Sequence, residues 1–285
     1  MVEEPFLNQQ IEFLRYLATY RNELLNLICI FINQIDTAYG YLILNLLGWL
    51  KLGRIRGSQL FVLIIVSFYI VGSLKDFFMI PRPPKDLWLV EAYSFSFPSG
   101  GATNAMVIFG YFVTQAEKFV SRFFFGFLIF AVAFSRLYLG VHYPVDVAAG
   151  LLLGVAILSI FFSYVRPFNK LIDAVPPFIE FLVGLGLILI FYFTNPLYGA
   201  DSNIYFLALG VFAGLSIRRY LPLPYVDKKI HAIICLSIIF VLLCIPEILH
   251  LENYLLYPFA FLIGLSPPLI APWATNAVLY PKNKI

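Results

Sequence analysis

Long apolar runs alternate with short polar or proline-rich breaks through most of the chain, and the runs recur at nearly one length. A bilayer core about 30 Å thick needs roughly 20 apolar residues per helix. Runs near that length fall at residues 35–51, 58–80, 99–115, 121–140, 144–165, 177–194, 204–220, 231–247 and 254–273. The breaks between them include Pro81 to Lys85, Arg166-Pro167, Pro176-Pro177, Asn195-Pro196 and Pro222 to Lys229. The first 34 residues differ: Phe6, Ile11, Phe13, Leu14 and Leu17 are interleaved with Gln9, Gln10, Glu12, Arg15 and Arg21. That pattern suits a helix lying in the membrane interface rather than crossing it. The expected fold is all-α, a polytopic transmembrane bundle of about nine spanning helices behind an amphipathic N-terminal segment. It divides into the leader at 1–34, a membrane core at 35–165 and additional transmembrane helices at 166–285.

Composition supports the same reading. The chain has 285 residues, 61% apolar and 12% charged, with a mean hydropathy of +0.87. A soluble domain is nearer half apolar and a quarter charged, so a soluble enzyme and a disordered chain are both excluded. Nineteen basic and 16 acidic residues leave a net charge of +3, too balanced for a nucleic-acid partner. Cys29, Cys235 and Cys244 all sit in apolar runs and read as small buried hydrophobes. The N-terminal MVEEPF lacks a basic region, so no removable signal peptide is expected.

Charge placement orients the bundle. If odd-numbered spans run inward, the cytoplasmic loops collect Lys51, Arg54, Arg56, Lys118, Arg122 and most other basic residues. The outer loops at 195–203 and 247–253 contain no Lys or Arg, as the positive-inside rule requires. The outer basic residues are exceptions, and three of them fall in stretches that place polar groups at helix ends on one side. These stretches are Lys75-Asp76-Phe77-Phe78-Met79-Ile80-Pro81-Arg82-Pro83, then Phe97-Pro98-Ser99-Gly100-Gly101, then Ser135-Arg136 through His142-Tyr143-Pro144-Val145-Asp146.

Physically, this is an anion site with a nucleophile. Gathering Lys75, Arg82 and Arg136 near lipid is unfavourable unless an anion joins them. Ser99 and Gly100 open a helix, where free N–H groups and the dipole favour phosphate. His142 and Asp146 are four apart and are expected to share a face of the helix that Pro144 helps to start. A carboxylate holding Nδ1–H leaves Nε2 of the imidazole available to attack. Taken singly, each stretch also fits a plain role: a snorkelling Arg82 or Lys85, a helix start at Ser99, a solvated His, a Lys75 paired with Asp76 or Glu91. Their coincidence on one membrane face favours function.

The pattern Lys-x6-Arg-Pro, then Pro-Ser-Gly, then Ser-Arg-x5-His-x3-Asp resembles the type-2 phosphatidic acid phosphatase superfamily of membrane lipid phosphatases, over residues 35–165. The amphipathic leader and compact core resemble its bacterial members, which implies a cell inner membrane with the site on the periplasmic or extracellular side. The resemblance implies His142 as a nucleophile that forms a phosphohistidine, with Asp146 orienting it. It implies that Arg136, Lys75, Arg82, Ser99, Gly100 and Gly101 bind the phosphoryl oxygens and their transition-state charge. No metal or other cofactor is implied, and the partner is a lipid phosphate held in the bilayer.

One position departs from the family pattern. The family reads Pro-Ser-Gly-His, whose His protonates the leaving group; this chain has Gly101 there. Candidate substrates are a polyprenyl diphosphate carrier, phosphatidic acid, phosphatidylglycerol phosphate and a phosphorylated lipid A. Two alternatives stay open: a lipid-to-lipid phosphotransferase, and a catalytically impaired relative that binds or moves an anionic phospholipid. A transporter built on inverted repeats finds no support, since paired broken segments are absent from the two halves.

Overall fold

The computed structural model describes residues 4–36, 54–174, 176–194 and 257–265, with scattered positions in 40–52 and 206–217. Among the described residues every regular element is helical. In chain order these are α1 (Glu4–Ala18), α2 (Glu23–Asn33), α3 (Arg54–Phe78), α4 (Gly100–Gln115), α5 (Phe119–Tyr138), α6 (Pro144–Ala174), α7 (Pro177–Thr194) and α8 (Tyr257–Leu265). Among the described residues three segments are long and apolar enough to cross a membrane: Ile55–Phe78, Phe119–Tyr138 and Pro144–Val165. The expected spans at 35–51, 204–220, 231–247 and 254–273 lie mostly or wholly outside the described residues.

Two boundaries differ from expectation. The break at Arg166-Pro167 does not occur, and α6 runs through it to Ala174. A proline inside a helix removes one hydrogen bond and bends the axis, and the remaining ladder can carry the helix past it. The N-terminal segment forms two helices rather than one continuous stretch. Asn22 separates them and caps α2, its side-chain oxygen accepting from Leu25 N–H at 3.0 Å.

The chain divides into two compact units, residues 1–45 with 58–166, and 46–57 with 167–285. In the second, Gly210 lets two segments approach closely, since a Cβ there would lie 2.0 Å from the Phe261 carbonyl. The first unit carries all the candidate site residues. In it, α4 and α6 meet along a seam of small residues. A Cβ on Gly150 would lie 2.6 Å from the Ser99 carbonyl oxygen, and one on Gly154 would lie 2.6 Å from Met106 Cβ. Close approach through glycine is how helices gain dispersion energy where lipid offers no hydrophobic drive. Polar ties reinforce α3 against α4: Tyr111 donates to Gln59 Oε1 at 2.6 Å, and Ser67 donates to Asn104 Oδ1. The leader packs on the same unit. Leu14 of α1 clusters with Leu87 and Tyr143, and Cys29 of α2 with Tyr138, Leu139 and Val141.

Candidate active site

The site is assembled from the ends of four helices and the segment joining α3 to α4. Lys75 lies in the last turn of α3, only 2% exposed, and its ammonium donates to the Phe95 carbonyl and to Ser94 Oγ at 3.5 Å. Arg82 follows the helix and is fixed by backbone carbonyls: Nε to Ser94 O at 3.0 Å, Nη2 to Tyr93 O at 2.7 Å and Nη1 to Val141 O at 2.8 Å. The planar guanidinium suits such multiple fixed contacts. Arg136, in the last turn of α5, is 4% exposed and reaches Ser135 Oγ through Nε at 3.4 Å and Nη2 at 3.2 Å.

His142 does not sit on α6, contrary to the expectation that it shares a helical face with Asp146. The helix begins at Pro144, so His142 occupies the turn before it. The pair nonetheless meets, Nδ1 to Asp146 Oδ2 at 3.4 Å, because Asp146 turns back over the helix start. Asp146 is the third helical residue, and its Oδ2 accepts the Tyr143 N–H at 2.8 Å, the reciprocal half of a capping box. Helix capping and imidazole orientation thus use the same oxygen.

The other imidazole nitrogen, Nε2, lies 3.2 Å from Arg82 Nη1. With Nδ1–H aimed at the carboxylate, Nε2 carries the lone pair and accepts from the guanidinium. Burial, followed by the charges of Arg82, Lys75 and Arg136, holds the His142 pKa well below its ordinary value, against a smaller opposing contribution from the Ser96 backbone. Burial and all three cations thus favour the neutral form of this ring.

Ser99 and the glycines enter differently. Ser99 is the N-cap of α4, its hydroxyl accepting from Ala102 N–H at 3.5 Å, and its own N–H donates to the Asp146 carbonyl at 3.0 Å. The glycine seam thereby sets the Ser99-Gly100-Gly101 helix start beside the start of α6. Gly101 is buried.

Sequence reasoning missed Ser96. It is fully buried, donates its hydroxyl to Asp146 Oδ2 and lies 3.4 Å from His142 Nδ1. The available signal was a lone polar residue between Phe95 and Phe97. The arrangement sets one imidazole among three cations, with Nδ1 toward a carboxylate and Nε2 toward a guanidinium.

Residues 56–170 match the family model of the PAP2 superfamily. Lipid phosphate phosphatase delta of Arabidopsis thaliana is 28% identical over 197 residues, 61% of this chain and 47% of that protein. Phosphatidylglycerophosphatase B of Bacillus subtilis is 36% identical over 91 residues, 29% of this chain and 43% of that protein. The chain thus spans just under half the length of the curated relatives it matches. The crystal structure of a transmembrane PAP2-type phosphatidylglycerolphosphate phosphatase from Bacillus subtilis shares the fold. Its TM-score is 0.52 at 21% identity, over 58% of this chain and 89% of that one.

Proposed function

Because residues 56–170 belong to the PAP2 superfamily, we propose that the chain is a membrane lipid phosphatase that removes phosphate from a lipid phosphate or diphosphate through a phosphohistidine at His142. The observation that carries this reading is the orientation of His142, Nδ1 toward Asp146 and Nε2 toward the Arg82 guanidinium at 3.2 Å. A phosphoryl oxygen that takes over the Arg82 N–H now donated to Nε2 frees that lone pair and places phosphorus beside it.

In the first step the Nε2–P bond forms and the bond from phosphorus to the leaving oxygen breaks. The imidazole becomes cationic and Asp146 stabilises it. Lys75, Arg82 and Arg136 balance the equatorial charge. Water then attacks phosphorus, the P–N bond breaks and inorganic phosphate leaves. Three fixed cations supply the electrostatic role, and no step in this scheme calls on a metal.

With Gly101 where the family places a proton-donating His, a leaving group that departs unprotonated is favoured. A polyprenyl diphosphate fits, because its leaving lipid phosphate has a second pKa of about 6. In this reading the chain crosses a bacterial inner membrane nine times, its leader lies in the outer interface, and the site faces the periplasm or exterior. The test is phosphate release by purified protein across lipid mono- and diphosphates with EDTA present, coupled to rapid quench. An acid-labile, base-stable phosphoenzyme in wild type that is lost in His142→Ala is expected. Undiminished turnover in His142→Ala overturns the covalent mechanism.

A further inference from the structure

The turn from α5 to α6 carries His142 and is flanked by Arg136 and Asp146, and it leaves backbone groups that neither helix can satisfy. The last carbonyls of a helix and the first N–H groups of the next have no intrahelical partner. Here partners come from elsewhere. Leu89 N–H donates to the Leu139 carbonyl at 3.0 Å, and Arg82 takes Val141. Two more, the Tyr138 carbonyl and the Val145 N–H, are filled from the leader, outside the segment matched to the family.

Arg21, between α1 and α2, donates to the Tyr138 carbonyl through Nε at 3.2 Å and Nη2 at 2.8 Å, and to the Leu87 carbonyl at 2.7 Å. It thus ties the end of α5 to the α3–α4 segment, with its charge at a helix C-terminus where the dipole favours it. Gly140 in the turn has φ +73°, and a Cβ there would lie 3.0 Å from Arg21 Nη2 and 2.0 Å from the Leu87 carbonyl. The tie therefore lies directly against the turn. At its other end Gln10, in α1 and 8% exposed, accepts the Val145 N–H at 3.0 Å through Oε1. It is the cap that Pro144, lacking an N–H, leaves for the next residue.

We propose that the α1–α2 leader is a positioning element for the phosphoryl-transfer site, with Gln10 and Arg21 as positioning residues that hold the turn carrying His142. The proposal rests on His142 being the nucleophile, and neither residue touches substrate. Because a displacement on the order of 1 Å can cost a hundredfold in rate, loosening the turn lowers kcat more than it alters binding.

The experiment measures kcat, KM and hydrogen exchange of the 139–147 segment in Gln10→Leu, Gln10→Glu, Arg21→Met and Arg21→Lys, in the full-length protein. Gln10→Leu and Arg21→Met should lower kcat about tenfold with KM within about twofold, and speed exchange in the turn. Gln10→Glu keeps the acceptor oxygen and should recover most of the rate. Arg21→Lys keeps the charge but not the fork and should recover only part. Arg15→Gln removes an exposed leader pair, Arg15 to Asp86 at 3.5 Å, that does not touch the turn, and should behave as wild type. Wild-type exchange and kcat in both Gln10→Leu and Arg21→Met overturn the proposal. A KM change with kcat unaffected overturns it as well. If wild type itself shows no turnover, the phosphatase reading fails, and exchange in the turn alone decides whether the leader holds it.

Discussion

The hydroxyl of Ser96 donates to Asp146 Oδ2, the same oxygen that faces His142 Nδ1 at 3.4 Å and accepts the Tyr143 N–H. Three donors converge on one carboxylate oxygen, and two of them, the hydroxyl and the imidazole, belong to groups that side-chain replacement can change. A hydrogen bond to a charged group is worth about 1.5–3 kcal/mol. Ser96→Ala should therefore lower kcat by roughly 10- to 100-fold, whereas Ser96→Thr retains the hydroxyl and should stay within a few-fold of wild type. Steady-state kinetics on one lipid substrate decides it, and a wild-type rate in Ser96→Ala removes Ser96 from the site.

Asp146 performs two tasks, capping α6 and orienting the ring, and Asn separates them. Asp146→Asn keeps an acceptor for the Tyr143 N–H, so the protein should fold with a melting temperature near wild type. The amide cannot stabilise the imidazolium and permits the wrong tautomer, so kcat should drop by about 10³-fold or more. A large loss of thermal stability at an unchanged rate contradicts this assignment.

In the proposed mechanism protonation of His142 blocks attack, and its depressed pKa moves that event below the ordinary histidine range. The sign follows directly: an unperturbed imidazole is half protonated at pH 6.5, whereas this one stays neutral there, so the acid limb of kcat/KM lies at lower pH. Lys75→Gln removes one of the cations that depress the pKa and should shift the limb upward on the same substrate. Comparing the two enzymes cancels the substrate's own titration, and coincident limbs refute the electrostatic coupling.

In the proposed reaction, Gly101 favours a leaving group that departs unprotonated. A general acid contributes about 10²–10⁴-fold, and more for a basic leaving group. Gly101→His, assayed on matched mono- and diphosphates of one lipid, should raise monophosphate turnover more than diphosphate turnover. Equal effects, or a wild type already faster on the monophosphate, sink the idea.

Sidedness is open to labelling. A single cysteine at Glu91, exposed in the α3–α4 segment, should react with an impermeant thiol reagent from outside intact cells, while one at Lys228 should not. Reaction at Lys228 reverses the orientation.

The charged members of the cluster were legible in the sequence because charge is conspicuous in so apolar a chain. Lys75, Arg82, Arg136, His142 and Asp146 each interrupt or bound an apolar run, and the α5 and α6 starts were placed within two residues of where they lie. The leader's partners to the turn carried no comparable signal, charged or neutral. Gln10 meets Val145 across 135 positions and Arg21 meets Tyr138 across 117, and no local periodicity encodes such pairings. The persistence of α6 past Pro167 was likewise hidden, since a proline signals a lost hydrogen bond without saying whether the helix ends or bends.

The glycine seam between α4 and α6 has a consequence for how substrate is selected. With the Ser99 carbonyl and the Met106 side chain already where a Cβ on Gly150 or Gly154 would stand, the two helices have no clearance to slide past one another. The helix start at Ser99 and the acid at Asp146 are thus parts of one stiff body rather than jaws that close on a ligand. In the proposed reaction, discrimination among lipids would then fall to which head group can reach a site already formed, and rates should track lateral access through the bilayer more than any induced fit.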